Sequence, residues 1–127
     1  MMDALKRISE ALSSDPLIAA KVETRIKYYV YPDTADVTKP YIVIDPLRPP
    51  VPDDYADNDW MTETHLIQID VWAKTRAEKD LLGNQIQLVM KTVGFYQSGS
   101  GVDEYDKDVQ IYRDGRRYLG KFYRDDL

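Results

Sequence analysis

The sequence predicts an α+β fold: a mixed, mainly antiparallel β-sheet packed by two helices, in the order α-β-β-(long arm)-β-α-β-β. Three observations predict it: a capped amphipathic helix in the second half, a long alternating segment directly before that helix, and a proline-rich interruption mid-chain. The chain has 127 residues, which is the size of one domain, so we expect a single domain over residues 1–127.

Two helical patterns and two strands are predicted before the interruption. Asp3 can cap a first helix whose apolar residues recur at helical spacing, and Pro16 suits the start of a short second turn that reaches Ala20. The segment Thr24 to Tyr31 alternates between apolar and polar residues, which is typical of a half-buried strand. Tyr41 to Ile44 is a short apolar run between two prolines and predicts a second strand.

Residues 46–60 form the least regular part of the sequence. Prolines there remove backbone donors, and carboxylates favour contact with water. Loops longer than about 12 residues are uncommon in compact domains and are often functional or disordered. We therefore expect an extended, mobile arm. Its prolines and acidic residues are Pro46, Pro49, Pro50, Pro52, Asp53, Asp54, Asp57 and Asp59.

The clearest elements follow the arm. Met61 to Trp72 alternates and predicts a long strand with one buried face and one more polar face. Thr75 and Glu78 form a capping box for a helix that runs to about Val93, with Gly94 at the position that favours glycine after a helix. Two closing strands are expected, one around Val109 and Ile111 and one from Arg117 to Tyr123. The pair Asp114-Gly115 predicts a hairpin turn between them.

The residues do not assemble a recognisable catalytic or metal site. There is no cysteine, and the single histidine, His65, is expected on the apolar face of a strand, away from Thr62 and Thr64. We therefore expect no catalytic residue, no metal and no cofactor. The first acidic group is expected to be a solvated loop, because it lacks the glycine that an EF-hand loop requires. The second is expected to be a solvated loop or the base of a hairpin. Those groups are Asp53, Asp54, Asp57 and Asp59, and Asp103, Glu104, Asp106 and Asp108.

The charge pattern narrows the class of partner. The net charge is −5, which argues against a DNA-binding domain but suits a passage through which DNA moves without sticking. No stretch approaches the roughly 18 apolar residues of a membrane-spanning helix, so we expect no membrane partner. Basic and aromatic residues cluster near the C-terminal end and can contact DNA, an acidic partner or the acidic arm of a neighbouring copy. An equal alternative is a charged edge that blocks strand pairing. They are Tyr112, Arg113, Arg116, Arg117, Tyr118, Lys121, Tyr123 and Arg124.

A family resemblance rests on the best-defined segment. The run from Ile67 to Ala73, read IQIDVWA, is followed by the capped helix and the exit Gly94-Phe95. This pattern resembles the tail-terminator or tail-completion (head–tail joining) proteins of long-tailed bacteriophages. A short N-terminal helix and a closing pair of strands, Val109 to Tyr112 and Arg117 to Tyr118, also match. The resemblance covers most of the chain and is sharpest over residues 66–96.

The resemblance implies a non-catalytic subunit of a ring, usually a hexamer, at the end of the tail tube. Such a ring stops tail growth, contacts the tube and the head connector or neck proteins, and lets DNA pass through its lumen. The protein would be assembled in the host cytoplasm and become part of the virion. The arm would then bind these partners, through Pro49, Pro50, Asp53, Asp54, Tyr55, Asp57, Asp59 and Trp60. The C-terminal cluster would join subunits or partners, through Tyr112, Arg113, Arg116, Arg117, Tyr118 and Lys121.

Two other functions stay open at this stage. A phage neck or minor tail adaptor has the same sequence features as a terminator, and only its effect on tail length would separate the two. A small host enzyme or ligand-binding domain requires a pocket with converging polar groups. If that alternative were correct, His65 would be the residue on which activity depends.

Overall fold

The computed structural model describes residues 3–29, 39–56 and 59–123. It confirms the predicted α+β class, with three helices and seven strands within these ranges. The helices are α1 (Ala4–Ser14), α2 (Pro16–Val22) and α3 (Arg76–Thr92). The strands are β1 (Ile26–Tyr28), β2 (Tyr41–Pro46), β3 (Val51–Ala56), β4 (Asp59–Ala73), β5 (Phe95–Gln97), β6 (Val102–Asp106) and β7 (Ile111–Tyr123).

The sheet is built around two long antiparallel strands, β4 and β7. One edge of β4 pairs first with β3 and then with β2, both antiparallel, and β1 adds to β2 in parallel. The far edge of β7 pairs with β5 and β6, again antiparallel. β4 and β7 therefore fix the position of every other strand.

The helices pack on one face of this sheet, which we call the helix face. Ile8, Leu12 and Ile18 from the first two helices meet Leu82 and Ile86 from α3 in one buried cluster. The sheet contributes side chains at every second position, as strand geometry requires. These are Ile42, Ile44, Ile67, Ile69, Val71, Phe95, Tyr118 and Phe122.

The helix ends follow the sequence signals. Oδ1 of Asp3 accepts a hydrogen bond from the Lys6 amide at 2.9 Å, and Oγ1 of Thr75 accepts one from the Glu78 amide at 3.2 Å. Gly94 follows α3 with φ of +86°, a conformation that glycine adopts at no steric cost. None of the helices in the described ranges is long and apolar enough to cross a membrane.

The predicted hairpin at Asp114-Gly115 is wrong. β7 runs through both residues without a break and stays paired with β4, so Gly115 lies opposite Asp70. A Cβ at Gly115 would lie 2.2 Å from Oδ1 of Asp70. The glycine is therefore required by the close approach of a buried carboxylate and not by positive φ in a turn.

The irregular arm predicted over residues 46–60 is also wrong in part. Residues 51–56 form β3 and pair with residues 59–64 of β4, with Pro52 on an edge strand that tolerates a missing donor. β5 was not predicted as a strand. The acidic run of β6 was interpreted as a solvated loop or the base of a hairpin, and the second alternative is correct, because β6 and β7 pair as a hairpin closed at Asp106 and Ile111. The first predicted strand is shorter than expected, and its Val30 and Tyr31 lie outside the described residues.

The role of Gly115 can be tested by adding a methyl group. Gly115→Ala is expected to lower the free energy of unfolding by about 2–4 kcal/mol, because the new Cβ overlaps the Asp70 carboxylate. Gly99→Ala is the control: nothing lies within 4 Å of its Cβ position, although φ is +71°. Only the backbone strain of about 1 kcal/mol is expected there. Urea denaturation measures both, and equal losses would contradict the close-approach explanation.

Candidate assembly surface

One end of the sheet brings the predicted arm and the C-terminal cluster together. Residues 51–56, 59–64 and 121–123 form a three-stranded end that we call the sheet tip. β4 is its central strand: Tyr55 lies opposite Trp60 on one side, and Thr62 lies opposite Tyr123 on the other. The two segments predicted separately as partner-binding are thus neighbours on one surface.

The sheet tip exposes large side chains that are usually buried. Tyr55 is 66% exposed, Tyr123 is 64% exposed, and Val51 and Met61 are 44% and 42% exposed. Tyrosine and methionine are enriched at protein interfaces, because they offer large contact areas. Tyr55 and Tyr123 were candidates from the sequence, whereas Met61 was expected only as the start of the long alternating strand. No period-two pattern marks β3 in the sequence, because Asp53 shares a face with Val51 and Tyr55.

An ion cluster lies at the centre of the tip. Nζ of Lys121 lies 3.1 Å from Oδ2 of Asp53 and 3.0 Å from Oδ2 of Asp54. The hydroxyl of Thr62 donates to Oδ2 of Asp54 at 2.6 Å. The hydrogen bond from Thr62, followed by that from Lys121, lowers the pKa of Asp54. Lys121 therefore pairs with the acidic segment of its own chain. The arm of a neighbouring copy was one of the partners expected from the sequence.

Two of the predicted arginines lie on the other face of the sheet, which we call the second face. Arg113 reaches Oδ2 of the fully buried Asp70 at 3.2 Å and lies 4.9 Å above the ring of Trp72. Nε of Arg117 donates to Gln68 at 3.3 Å, and Gln68 in turn donates to Oδ1 of Asp70 at 3.0 Å. These four polar side chains form an internal network that stabilises the pairing of β4 with β7.

The remaining members of the C-terminal cluster point toward the helices. Arg116 donates to Asp114, and burial raises the pKa of that carboxyl although Arg116 opposes the shift. Tyr118 is 1% exposed and lies in the core, so its side chain is not available for contact with a partner protein. Tyr112 packs against Tyr105 with ring centroids 4.5 Å apart. The basic aromatic patch expected from the sequence is thus divided between two faces, and Arg124 lies outside the described residues.

The other predicted arm residues have separate positions. Asp59 accepts a hydrogen bond from the amide of Trp60 at 2.9 Å, and Asp57 lies outside the described residues. Pro49 and Pro50 are exposed and line a groove of about 760 Å³ between the start of α1 and the β2–β3 link. Within the described ranges, no group of three or more His, Asp or Glu side chains is placed to hold a metal ion.

His65 lies in the wall of this groove. Its Nε2 atom is 3.6 Å from Oε2 of Glu63, and its ring packs edge-on against Phe122 with centroids 5.5 Å apart. Burial lowers the pKa of His65, while the Glu63 carboxylate partly opposes the shift. Among the described residues the groove lining contains no serine or threonine.

Comparison with known proteins gives one informative result. No protein-family model matches the sequence, and no curated protein matches it. A solved structure described as the virion of a native gene transfer agent (GTA) particle contains a chain of similar fold, with a TM-score of 0.61. The match covers 91% of this chain and 91% of that chain, at 14% sequence identity. The two chains share a fold.

Two ion pairs that differ in burial should differ in their contribution to stability. Arg113→Met leaves the buried Asp70 without its cation and is expected to lower the free energy of unfolding by about 3 kcal/mol. That is the low end for a buried pair, because Arg113 itself is 20% exposed. Lys121→Met removes only solvent-exposed ion pairs, so the free energy of unfolding should equal that of the wild type within experimental scatter. Urea denaturation of both variants decides, and similar losses would contradict this assignment.

The single histidine predicts a pH dependence. Because the pKa of His65 is lower in the folded state than its ordinary 6.5, its contribution to stability is complete above that value. The contribution should fall as the pH drops from 6.5 toward the lower folded-state pKa. His65→Gln should remove this part of the pH profile, measured by urea denaturation between about pH 7.5 and about pH 5.5. An unchanged slope in the variant would show that another group titrates.

Proposed function

We propose that this chain is a structural subunit of a phage-like virion that forms a ring, usually of six copies, at the end of the tail tube. The ring ends tail growth and joins the tail to the head connector. The observation that carries the proposal is the shared fold with a chain of the gene transfer agent virion over 91% of both chains. The resemblance of residues 66–96 to tail-terminator proteins supports the finer assignment.

The sheet tip is the surface proposed to contact the tail tube or neck proteins. It presents Tyr55, Tyr123 and Val51 on the face that holds the charged centre formed by Lys121 and its two aspartates, and Met61 on the other face. In such a surface the apolar side chains supply most of the binding energy, and the charged groups, which are held in fixed positions, select the partner and its orientation. The tip is also held by β4 and β7, the two strands that position the whole sheet, so docking there acts on a rigid element.

The charge of the chain fits the proposed ring. Each copy carries a formal charge of −5, so a ring of several copies is strongly acidic. The lumen of an acidic ring repels the phosphate backbone and lets DNA pass without being held. In this function the chain acts by shape and surface contacts and not as an enzyme. Its place is the virion neck or tail after assembly in the host cytoplasm.

Removal of the gene product tests the terminator role directly. We expect tail tubes of uncontrolled length, because nothing then stops their growth, and electron microscopy measures this. Supplying the wild-type chain should restore uniform tails. Tails of normal length that remain unjoined to heads would contradict the terminator role and identify an adaptor. Normal, infectious particles would overturn the proposal altogether.

The sheet tip can be tested in the same assay. The double variant Tyr55→Ser and Tyr123→Ser should fold but fail to restore tail length, because it removes the two most exposed side chains of the tip. Leu88→Ser is the matched control: Leu88 is 60% exposed and lies on α3, which packs on the helix face, whereas Tyr55 and Tyr123 lie on the second face. Restoration by the tip variant would contradict its role as the docking surface.

A further inference from the structure

We propose that copies of this chain join through opposite edges of their sheets, with β6 of one copy adding to β1 of the next. This inference rests on the proposed ring, and it names the surfaces that close it. Among the described residues, β1 and β6 each pair with a single strand, so each presents one edge with unpaired backbone groups. Such edges are templates for strand addition, and proteins use them for specific association.

The two edges lie at the same level of the sheet. One row of paired residues runs across five strands and ends in β1 at one side and in β6 at the other. The row is Ile26, Ile42, Val71, Asp114 and Asp103. A neighbouring copy placed beside the sheet without a shift along the strands therefore brings β6 next to β1.

The strand directions are also compatible. β1 runs parallel to β2, β2 and β4 are antiparallel, and β7 is antiparallel to both β4 and β6. β6 therefore runs opposite to β1. A rotation about an axis along the strands keeps these directions, so β6 would meet β1 of the next copy as an antiparallel pair. The contact is between unlike surfaces, the type that closes into a ring when the rotation is right.

The side chains of the two edges complement each other in charge. On the second face, β1 presents Lys27 and β6 presents Glu104 and Asp106. Arg25, just before β1, is already engaged by Glu23 and by two backbone carbonyls of its own chain. The Lys27 side chain is exposed and forms no hydrogen bond or ion pair with the described residues. The Glu104 side chain is 62% exposed and reaches Arg113 only at 3.8 Å. Cations on one edge and carboxylates on the other favour head-to-tail contact and disfavour like edges.

Each edge also carries a partly exposed tyrosine on the helix face. Tyr28 of β1 is 37% exposed, and Tyr105 of β6 is 50% exposed. With Ile26 opposite Asp103, an antiparallel pair sets Tyr28 opposite Gly101 and Tyr105 opposite Thr24, so the two rings are not cross-strand partners. The same register sets Lys27 diagonal to Glu104 on the second face, within reach of long side chains. The charges on the second face therefore give the junction its direction.

Charge reversal tests whether these two edges meet. Lys27→Glu brings a carboxylate against the carboxylates of β6, and Glu104→Lys brings a cation against Lys27 of β1, so each single variant should assemble about tenfold or more weakly than the wild type. An equimolar mixture should assemble again, because each edge then finds an opposite charge on the other variant. The double variant Lys27→Glu with Glu104→Lys should also recover. Sedimentation velocity and native mass spectrometry at low salt measure the assembly.

Matched controls separate this effect from net charge and from misfolding. Lys91→Glu and Glu10→Lys make the same charge changes at exposed helical positions and should assemble like the wild type. Circular dichroism melts check folding, and the neutral variants Lys27→Gln and Glu104→Gln should give a smaller loss of the same direction. If the wild type forms rings and both reversed variants assemble as strongly, the edge pairing would be overturned and the proposed function would stand. The same conclusion would follow if mixing the two variants did not restore assembly. A wild-type chain that never self-associates, even on tail tubes, would overturn both.

Discussion

The close approach of Gly115 to the Asp70 carboxylate is the constraint on which the rest of the structure depends. Without a side chain at Gly115, β7 can continue through this point and pair with β4 over residues 62–73. Asp70 is buried there because Arg113 and Gln68 satisfy its two oxygens. An interruption at this point would separate the sheet tip from the β6 edge, and the two proposed contact surfaces would lose their fixed relation.

The sequence predicts the fold class and the interior better than the edges of the sheet. The long alternating strand and the capped helix are well predicted, because their patterns reflect burial on one side and hydrogen bonds at a helix end. β3 is missed and β6 stays ambiguous between a loop and a hairpin, because edge strands contact water and carry proline and acidic residues, which are also typical of loops. Asp114-Gly115 misleads for a related reason: glycine serves a close approach and a turn equally well.

The candidate surface could be predicted only in parts. The sequence indicated that residues of the arm and of the C-terminal cluster were candidates, and it named Asp53, Asp54 and Lys121. That these three meet depends on the registers of β3 and β7 against β4, which no local pattern contains. Tyr118 shows the opposite case. It was a candidate because it lies among basic residues, but strand alternation directs its ring into the core.

The two tryptophans provide optical reporters for two different parts of the molecule. Trp60 lies at the sheet tip opposite Tyr55, whereas Trp72 stacks on Tyr41 with ring centroids 6.1 Å apart, below the guanidinium of Arg113. Indole emission depends on local polarity and on nearby charges. Because the sequence has two tryptophans, replacing either one by phenylalanine leaves a single indole. That fluorophore reports either on contacts at the tip or on the integrity of the interior network, without any attached dye.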